Sequence, residues 1–399
     1  MQSLIYRIKR ITIITKFILL VIGWLSKFYM FVTNKVIGVN KKKVVFISFG
    51  GKSYSDNPRS ISQKLHEMHP NYEIIWLFNR PEEKNEIVPD YVRCVQAGSY
   101  RALKELATAK FWVDNFCKPS YIYKSKKQLY IQTWHGDRGF KKVLYDSTFV
   151  KENYKLIESE ILDLAVSGSK YGDSTYRTAF RYSGEILKKG CPRNDLLVEN
   201  SYIKKSKIKH NLNIDSSTNI LMYAPTLRRD AAKENKLQSS KDIDLLETLE
   251  ILEKTTNKKW VCIVRAHSAV KGLDAIPYEK KQIIDGTSYE DMSELLLISD
   301  FLITDYSSSA GDFAVLNRPM ILFQPDRKEY IKKDRTFYFD LDNSPYMIAK
   351  NKKELIDMID SLDWNTISQN CKSILDFYGT LETGDASKRV VEYIVNKSN

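Results

Sequence analysis

Histidine and cysteine are scarce, five of each in 399 residues. The cysteines (Cys94, Cys117, Cys191, Cys262 and Cys371) are scattered, odd in number and never spaced C-x-x-C. That excludes a disulfide scaffold and a cysteine-built zinc site, and it fits a reducing compartment. The chain also lacks a Walker loop, a G-x-G-x-x-G fingerprint, a repeat of solenoid period and any low-complexity tract. No acidic or histidine cluster has metal-ligand spacing, so no metal or other cofactor is expected. Acid is missing from one place altogether. Residues 1–43 hold nine lysines and arginines and neither Asp nor Glu, so +9 of the formal +13 sits there and only +4 on the rest. Charge this localised argues against a nucleic-acid partner.

The same basic segment is apolar between its charges. "ITIITKFILLVIGWLSKFYMFV", residues 11–32, is interrupted by Lys16 and Lys27, and the run between them is shorter than the ~20 residues of a spanning helix. On a helix, Lys9, Lys16, Gly23 and Lys27 fall near one line. Residues 1–42 therefore read as a basic amphipathic helix on an anionic membrane surface, at the cytoplasmic face, peripheral (monotopic) in preference to spanning. Spanning with snorkelled lysines and packing on the protein's own surface are the alternatives. A cleaved signal peptide fits poorly, because no small-x-small site follows.

What is abundant is apolar and aromatic residue, 43% and 12% of the chain, enough for two cores at this length. Short apolar runs at 44–49, 72–78, 110–116, 129–134 and 162–168 read as buried strands, with helical stretches such as "PRSISQKLHEM" and "SYRALKELATA" between them. A second series follows at 219–226, 260–267, 282–287, 300–307 and 319–325, and the chain closes with helices over 353–362 and 386–395. Strands alternating with helices imply parallel sheets covered on both faces. The expected fold is α/β, two Rossmann-like domains facing a cleft (GT-B-like) after the N-terminal helix. Their expected limits are 43–196 for an acceptor domain and 197–399 for a donor domain.

Ligands of such sheets bind beyond the carboxyl ends of the strands. Five strand ends carry conspicuous groups. "FGGKSYSDNP" places Gly50, Gly51 and Lys52 before a helix, an arrangement open to an anion. "TWHGDRGFKK" offers His135, a base near neutral pH, with Asp137, Arg138 and Lys141 just beyond. "YAPTLRRD" contributes Thr226, Arg228, Arg229 and Asp230. "VRAH" sets Arg265 and His267 two apart, on one side of an extended segment. "ITDYSSSAGDF" ends a strand at Asp305 and follows it with Ser307, Ser308 and Ser309 before a helix that includes Asp312. Capping needs one serine, and three beside a positive helix end suit a diphosphate. Taken singly, each of these has a structural reading, an ordinary turn or a helix cap. Together they favour transfer from a nucleotide-diphosphate donor without a metal.

These pieces, in this order and together with "GCPRND" (190–195), resemble the CDP-glycerol:poly(glycerophosphate) glycerophosphotransferase family of teichoic-acid and capsular polyol-phosphate transferases. The resemblance spans about residues 46–330. It implies a GT-B-like fold, CDP-glycerol or CDP-ribitol as donor, CMP as product and a lipid-linked acceptor. His135 matches the family's His-Gly histidine, the catalytic base, and His267 the second histidine, at the donor phosphates beside Arg265. Asp305, Ser307 and Ser308 match the nucleotide loop, Asp312 the acid after it, and Arg193, Asn194 and Asp195 the segment between the domains. Two places depart from the family's wording. Asp137-Arg138-Gly139 stands where Thr-Pro-Leu is usual, which assigns Gly50, Lys52, Asp137, Arg138 and Lys141 to acceptor specificity. Gly311 stands where Phe often precedes the acid.

The reading that follows is an enzyme transferring an alditol phosphate, glycerol phosphate first, to a hydroxyl of a lipid-linked acceptor. A glycosyltransferase of the same architecture with a nucleotide-sugar donor, and a membrane-bound nucleotide-binding module without catalysis, are the two alternatives.

Overall fold

The structure is a computed structural model that describes residues 2–147, 156–226, 228, 243–266 and 276–398. Seven strands form the first sheet: β1 (Asn40–Ile47), β2 (Glu73–Phe78), β3 (Val92–Gln96), β4 (Ala109–Asp114), β5 (Leu129–Gln132), β6 (Leu164–Ser167) and β7 (Glu185–Lys188). Six form the second: β8 (Asn219–Ala224), β9 (Trp260–Val264), β10 (Ile283–Asp285), β11 (Phe301–Thr304), β12 (Met320–Phe323) and β13 (Ile348–Ala349). The orders are β3-β2-β1-β4-β5-β6-β7 and β10-β9-β8-β11-β12-β13. Every pairing is parallel. Both sheets are doubly wound, with the order reversing between β1 and β4 and between β8 and β11.

All ten strands expected from apolar runs are present. Those without such a run are edge or near-edge strands. β7 ("EILK") has no fully buried residue, and β3 ("VRCVQ") buries only Val92 and Val95. A strand packed on one face needs only half its residues apolar. Helix Ile367–Tyr378 also lies between the two expected closing helices.

Three core clusters hold the molecule. Two cover the faces of the first sheet, and the third encloses the second sheet. Helix α1 (Gln2–Ile37) is continuous through Lys16 and Lys27. Its segment Phe17–Ile37 is long and apolar enough to cross a membrane, by length and composition. The end of α1 packs against α3 (Tyr100–Thr108): Met30 is fully buried in the core of Trp112 and Tyr130, and Asn34 Nδ2 donates to the Ala107 carbonyl at 2.7 Å.

Two segments cross the expected domain limits. Val390, Val391 and Ile394 of the last helix (Ala386–Ser398) pack with Val44, Phe46 and Ile61, so this helix covers the first sheet and not the second. Asp195 is the reason it docks there, since its carboxylate accepts the Ala386 and Ser387 N–H groups at 2.9 and 2.7 Å. In the other direction, Phe140 leaves the first domain and is buried in the core of the second, edge-on to Phe337.

Candidate active site

His135 stands at the carboxyl end of β5, beside the reversal of strand order in the first sheet. Its Nδ1 lies 2.7 Å from the Asn115 carbonyl, just past the end of β4. A carbonyl carries no proton, so Nδ1 donates, and in the neutral ring Nε2 keeps its lone pair. The rings of Trp134, Phe49 and Phe116 surround the imidazole at 4.1, 5.2 and 6.1 Å between centroids. Burial in this aromatic setting lowers the imidazole pKa below its ordinary value; the Asn115 carbonyl and Asp56 act upward, Arg193 and Lys141 downward. The base form is thus the resting form at neutral pH.

The serine loop of the second domain meets this histidine loop. A Cβ on Gly136 would stand 3.5 Å from Ser308 Oγ, and one on Gly139 would stand 3.4 Å from Ser308 Cβ. Ser309 Oγ donates to or accepts from Ser307 Oγ at 2.9 Å, and the Ser309 N–H also points at Ser307 Oγ, at 3.3 Å. Ser307 and Ser308 are half-buried, and Ser309 is buried.

Next to the serines, Asp305 and Arg228 bind each other. Arg228 Nη1 donates to Asp305 Oδ2 at 2.8 Å, and its Nε to Asp326 Oδ2 at 2.7 Å. The guanidinium lies over the rings of Tyr306 and Tyr330. Asp305 also accepts the Thr226 N–H at 2.9 Å. Both charged groups, expected to touch the donor, therefore spend their polar atoms shaping the turn after β8. Thr226 Oγ1 is buried with no hydrogen-bond partner among the described residues. Arg265 is held through one nitrogen: Nη1 donates to the carbonyls of Gly286, Thr287 and Tyr289 at 2.7, 2.6 and 2.5 Å. His267, Arg229 and Asp230 lie outside the described residues.

Lys141 is half-buried where residues 140–142 pair with 336–338 of the second domain. Burial pulls its ammonium down to about 8, Arg335 and Arg228 adding to the effect and Asp305 opposing it. On the other wall, Gly50 and Gly51 turn the chain with φ of 66° and 89°, and Lys52 is exposed. A Cβ on Gly51 would come 3.1 Å from the Asn79 nitrogen, which explains a glycine there.

Asp137, Arg138 and Asp312 bind partners within the protein. Arg138 is fully buried between two acids of distant sequence, with Nη2 2.6 Å from Asp312 Oδ1 and Nη1 2.8 Å from Glu382 Oε1. Asp137 is buried in the first domain and accepts from Ser167 Oγ, the Gly168 N–H and Ser169 Oγ. Asp312 accepts from Arg193 Nη2 at 2.8 Å and Asn194 Nδ2 at 3.0 Å on top of Arg138. Burial opposes its charge, but Arg193 and Arg138 hold its carboxyl below the usual range. Arg193 is tied on the acceptor side too, its N–H donating to Asn57 Oδ1 at 3.0 Å.

The chain matches the family described as CDP-Glycerol:Poly(glycerophosphate) glycerophosphotransferase over residues 28–396. It belongs to this family. The teichoic acid glycerol-phosphate transferase of Staphylococcus aureus is 35% identical over 89% of this chain and 93% of its own length. The teichoic acid poly(glycerol phosphate) polymerase of Staphylococcus epidermidis is 34% identical over 91% of this chain, which spans 52% of that relative, about half its length. The teichoic acid ribitol-phosphate primase of Bacillus spizizenii is 26% identical over 90% of this chain and 92% of its own. A solved structure of the wall teichoic acid polymerase TagF superposes with a TM-score of 0.82 at 31% identity, covering 99% and 98% of the two chains.

In this member of the family, the two departures from the family's wording turn out to be one. A Cβ on Gly311 would be 2.6 Å from Arg138 Cβ. The arginine occupies the space that a larger residue at 311 would need, so the two positions are fitted to each other.

Four residues that sequence reasoning did not single out help build the site: Glu382, Asn57, Asn115 and Asp326. Asn57 is fully buried and donates from Nδ2 to the Trp134 carbonyl at 2.9 Å, just before the histidine. Asn115 directly follows a buried strand, "FWVDN", which was the available signal. Glu382 lies more than 240 residues from its partner Arg138, and nothing local marks it. No group of three or more His, Cys, Asp or Glu placed to hold a metal ion occurs among the described residues.

Proposed function

We propose that the chain transfers glycerol phosphate from CDP-glycerol to a hydroxyl of a lipid-linked acceptor, releasing CMP, in teichoic-acid or capsular polymer synthesis. The observation that carries the reading is the contact between the His135-Gly136 turn and Ser308, which brings a neutral imidazole to a serine-rich helix start across the cleft. In the proposed step, the acceptor hydroxyl attacks the β-phosphorus while His135 Nε2 takes its proton. The new O–P bond forms as the bond from the β-phosphorus to the bridging oxygen breaks, and CMP leaves with that oxygen. Ser307, Ser308, Lys141 and backbone N–H groups stabilise the phosphates, with His267 and Arg265 assigned to the same side by resemblance. Charge neutralisation by these groups needs no metal, so activity in excess chelator is expected to be undiminished. Glycerol is favoured over ribitol because relatives named for glycerol phosphate are the more similar.

Peripheral attachment to the cytoplasmic face of the membrane is part of the same reading. Gly23, Tyr29, Met30, Phe31 and Asn34 of α1 all contact the first domain, which holds the helix against the protein. Phe17, Leu19, Leu20 and Trp24 are more than 60% exposed and are left for lipid.

The test is CMP release by purified enzyme with a lipid-linked acceptor, comparing CDP-glycerol with CDP-ribitol. Turnover of CDP-glycerol, lost by roughly 10²-fold or more in His135→Ala, is the expected result. Absence of CMP from either donor sinks the assignment.

A further inference from the structure

Two of the aromatic residues that enclose His135 have left-handed backbone conformations, which non-glycine residues seldom adopt: Phe49 at φ 46° and Trp134 at φ 48°. Such outliers persist only where their surroundings hold them. Both are held by side-chain amides. The Trp134 N–H donates to Gln132 Oε1 at 2.9 Å. The Phe49 N–H donates to Asn115 Oδ1 at 2.7 Å, and Asn115 Nδ2 donates onward to Ser48 Oγ at 3.2 Å. The carbonyl of this same Asn115 accepts from His135 Nδ1. One fully buried residue thus grips the strained turn after β1 by its side chain and the imidazole by its backbone.

We propose that Asn115 is a positioning residue for the reaction, fixing the Nδ1–H tautomer and the ring plane of His135 so that Nε2 faces the acceptor hydroxyl. The proposal rests on His135 being the base. With its carboxamide tied to Phe49 and Ser48, the Asn115 peptide cannot rotate its carbonyl away from the imidazole. The Phe49 ring, carried on the same turn, packs on the imidazole and fixes its tilt. The partner of Nδ1 is a neutral carbonyl and not a carboxylate. The charged groups acting on the ring come from other elements: Asp56 at the start of α2 (Asp56–Met68), Arg193 between the domains, and Lys141. Asp114, next in sequence to Asn115, pairs with Lys118 at 2.7 Å and accepts the Phe116 N–H at 2.8 Å.

The experiment has three arms on the full chain. Long-range ¹H–¹⁵N spectra of the wild type, with His135 assigned by difference against His135→Ala, report the tautomer. Nδ1–H is expected; Nε2–H overturns the proposal. Steady-state kinetics of Asn115→Ala should show kcat down ~10-fold or more with the KM for CDP-glycerol within ~2-fold, the signature of lost transition-state geometry. Asn115→Asp keeps an acceptor for the Phe49 N–H and adds negative charge, so it should fold and should move the acid limb of the kcat/KM profile to higher pH. A merely structural Asn115 would lower folded fraction in both variants and leave kcat per folded enzyme and the acid limb unchanged, which overturns the proposal. If Asn115→Ala does not fold, the spectrum and the aspartate variant decide. Full activity in His135→Ala would instead remove the base itself, a different failure from a dead His135→Ala beside an unaffected Asn115→Ala.

Discussion

Arg138 Nη2 and Asp312 Oδ1 lie 2.6 Å apart across the domain boundary, the arginine fully buried. Glu382 and Arg193 complete a four-charge bracket behind the histidine and serine loops, with Asn194 donating to both acids. A buried pair is poor at adding stability over an apolar substitute, but removing one partner strands a charge. Arg138→Ala is expected to cost about 3–5 kcal/mol in a denaturant titration. Gly311→Ala should cost about 1–3 kcal/mol by forcing its methyl against Arg138, and less in an Arg138→Ala background. Additive costs in that double-mutant cycle would contradict the contact.

Phe140 is the apolar counterpart of the bracket. It reaches from the histidine loop into the core of the second domain, against Phe337 and Tyr346. Phe140→Ala should destabilise by about 3–5 kcal/mol, as other large-to-small core changes do. Because the same loop carries His135, kcat should fall with it. A loss of stability with kcat intact would show that the loop is placed without this anchor.

Lys141 sets an alkaline limit. Its folded-state pKa is depressed to about 8 from an ordinary 10.5, so between those values the unfolded chain binds the extra proton. Stability contributed by this group therefore rises as pH rises from about 8 to 10.5, and a buried ammonium is a liability at pH 7. Lys141→Met is expected to raise Tm at pH 7 while weakening CDP-glycerol binding. In the wild type, the KM for the donor should climb above pH 8, and Lys141→Arg should flatten that limb. A donor KM independent of pH up to 10 in the wild type would exclude an ionic role.

The N-terminal segment is testable by charge. Reversal at Lys9, Lys16 and Lys27 should abolish co-sedimentation with vesicles rich in anionic lipid and leave CMP release from a soluble acceptor unchanged. Salt should weaken wild-type binding in the same assay, since exposed charges are screened within about 10 Å at 0.1 M. Vesicle binding that survives the triple reversal would make the attachment apolar alone.

Ten strands, the doubly wound class and the strand-end positions of His135 and the serines were legible from residue order, because buried parallel strands need unbroken apolar runs and ligand-facing groups follow their carboxyl ends. Edge strands such as β7 were not, since exposure lets them carry Glu185 and Lys188. The charged residues show the limit most plainly. Asp137, Arg138 and Arg228 sit in loops and Asp312 in a short helix, all beside the histidine or serine motifs, where a charge reads as a ligand contact. Whether it meets a ligand or a buried partner depends on residues as distant as Glu382 and Asp326, which only folding brings within hydrogen-bond reach. The histidine itself was marked by its neighbours in the chain, whereas its tautomer was decided by the Asn115 carbonyl on an adjacent strand's end. A sequence can announce an imidazole; which of its nitrogens holds the proton is a matter of what lies 2.7 Å away in space.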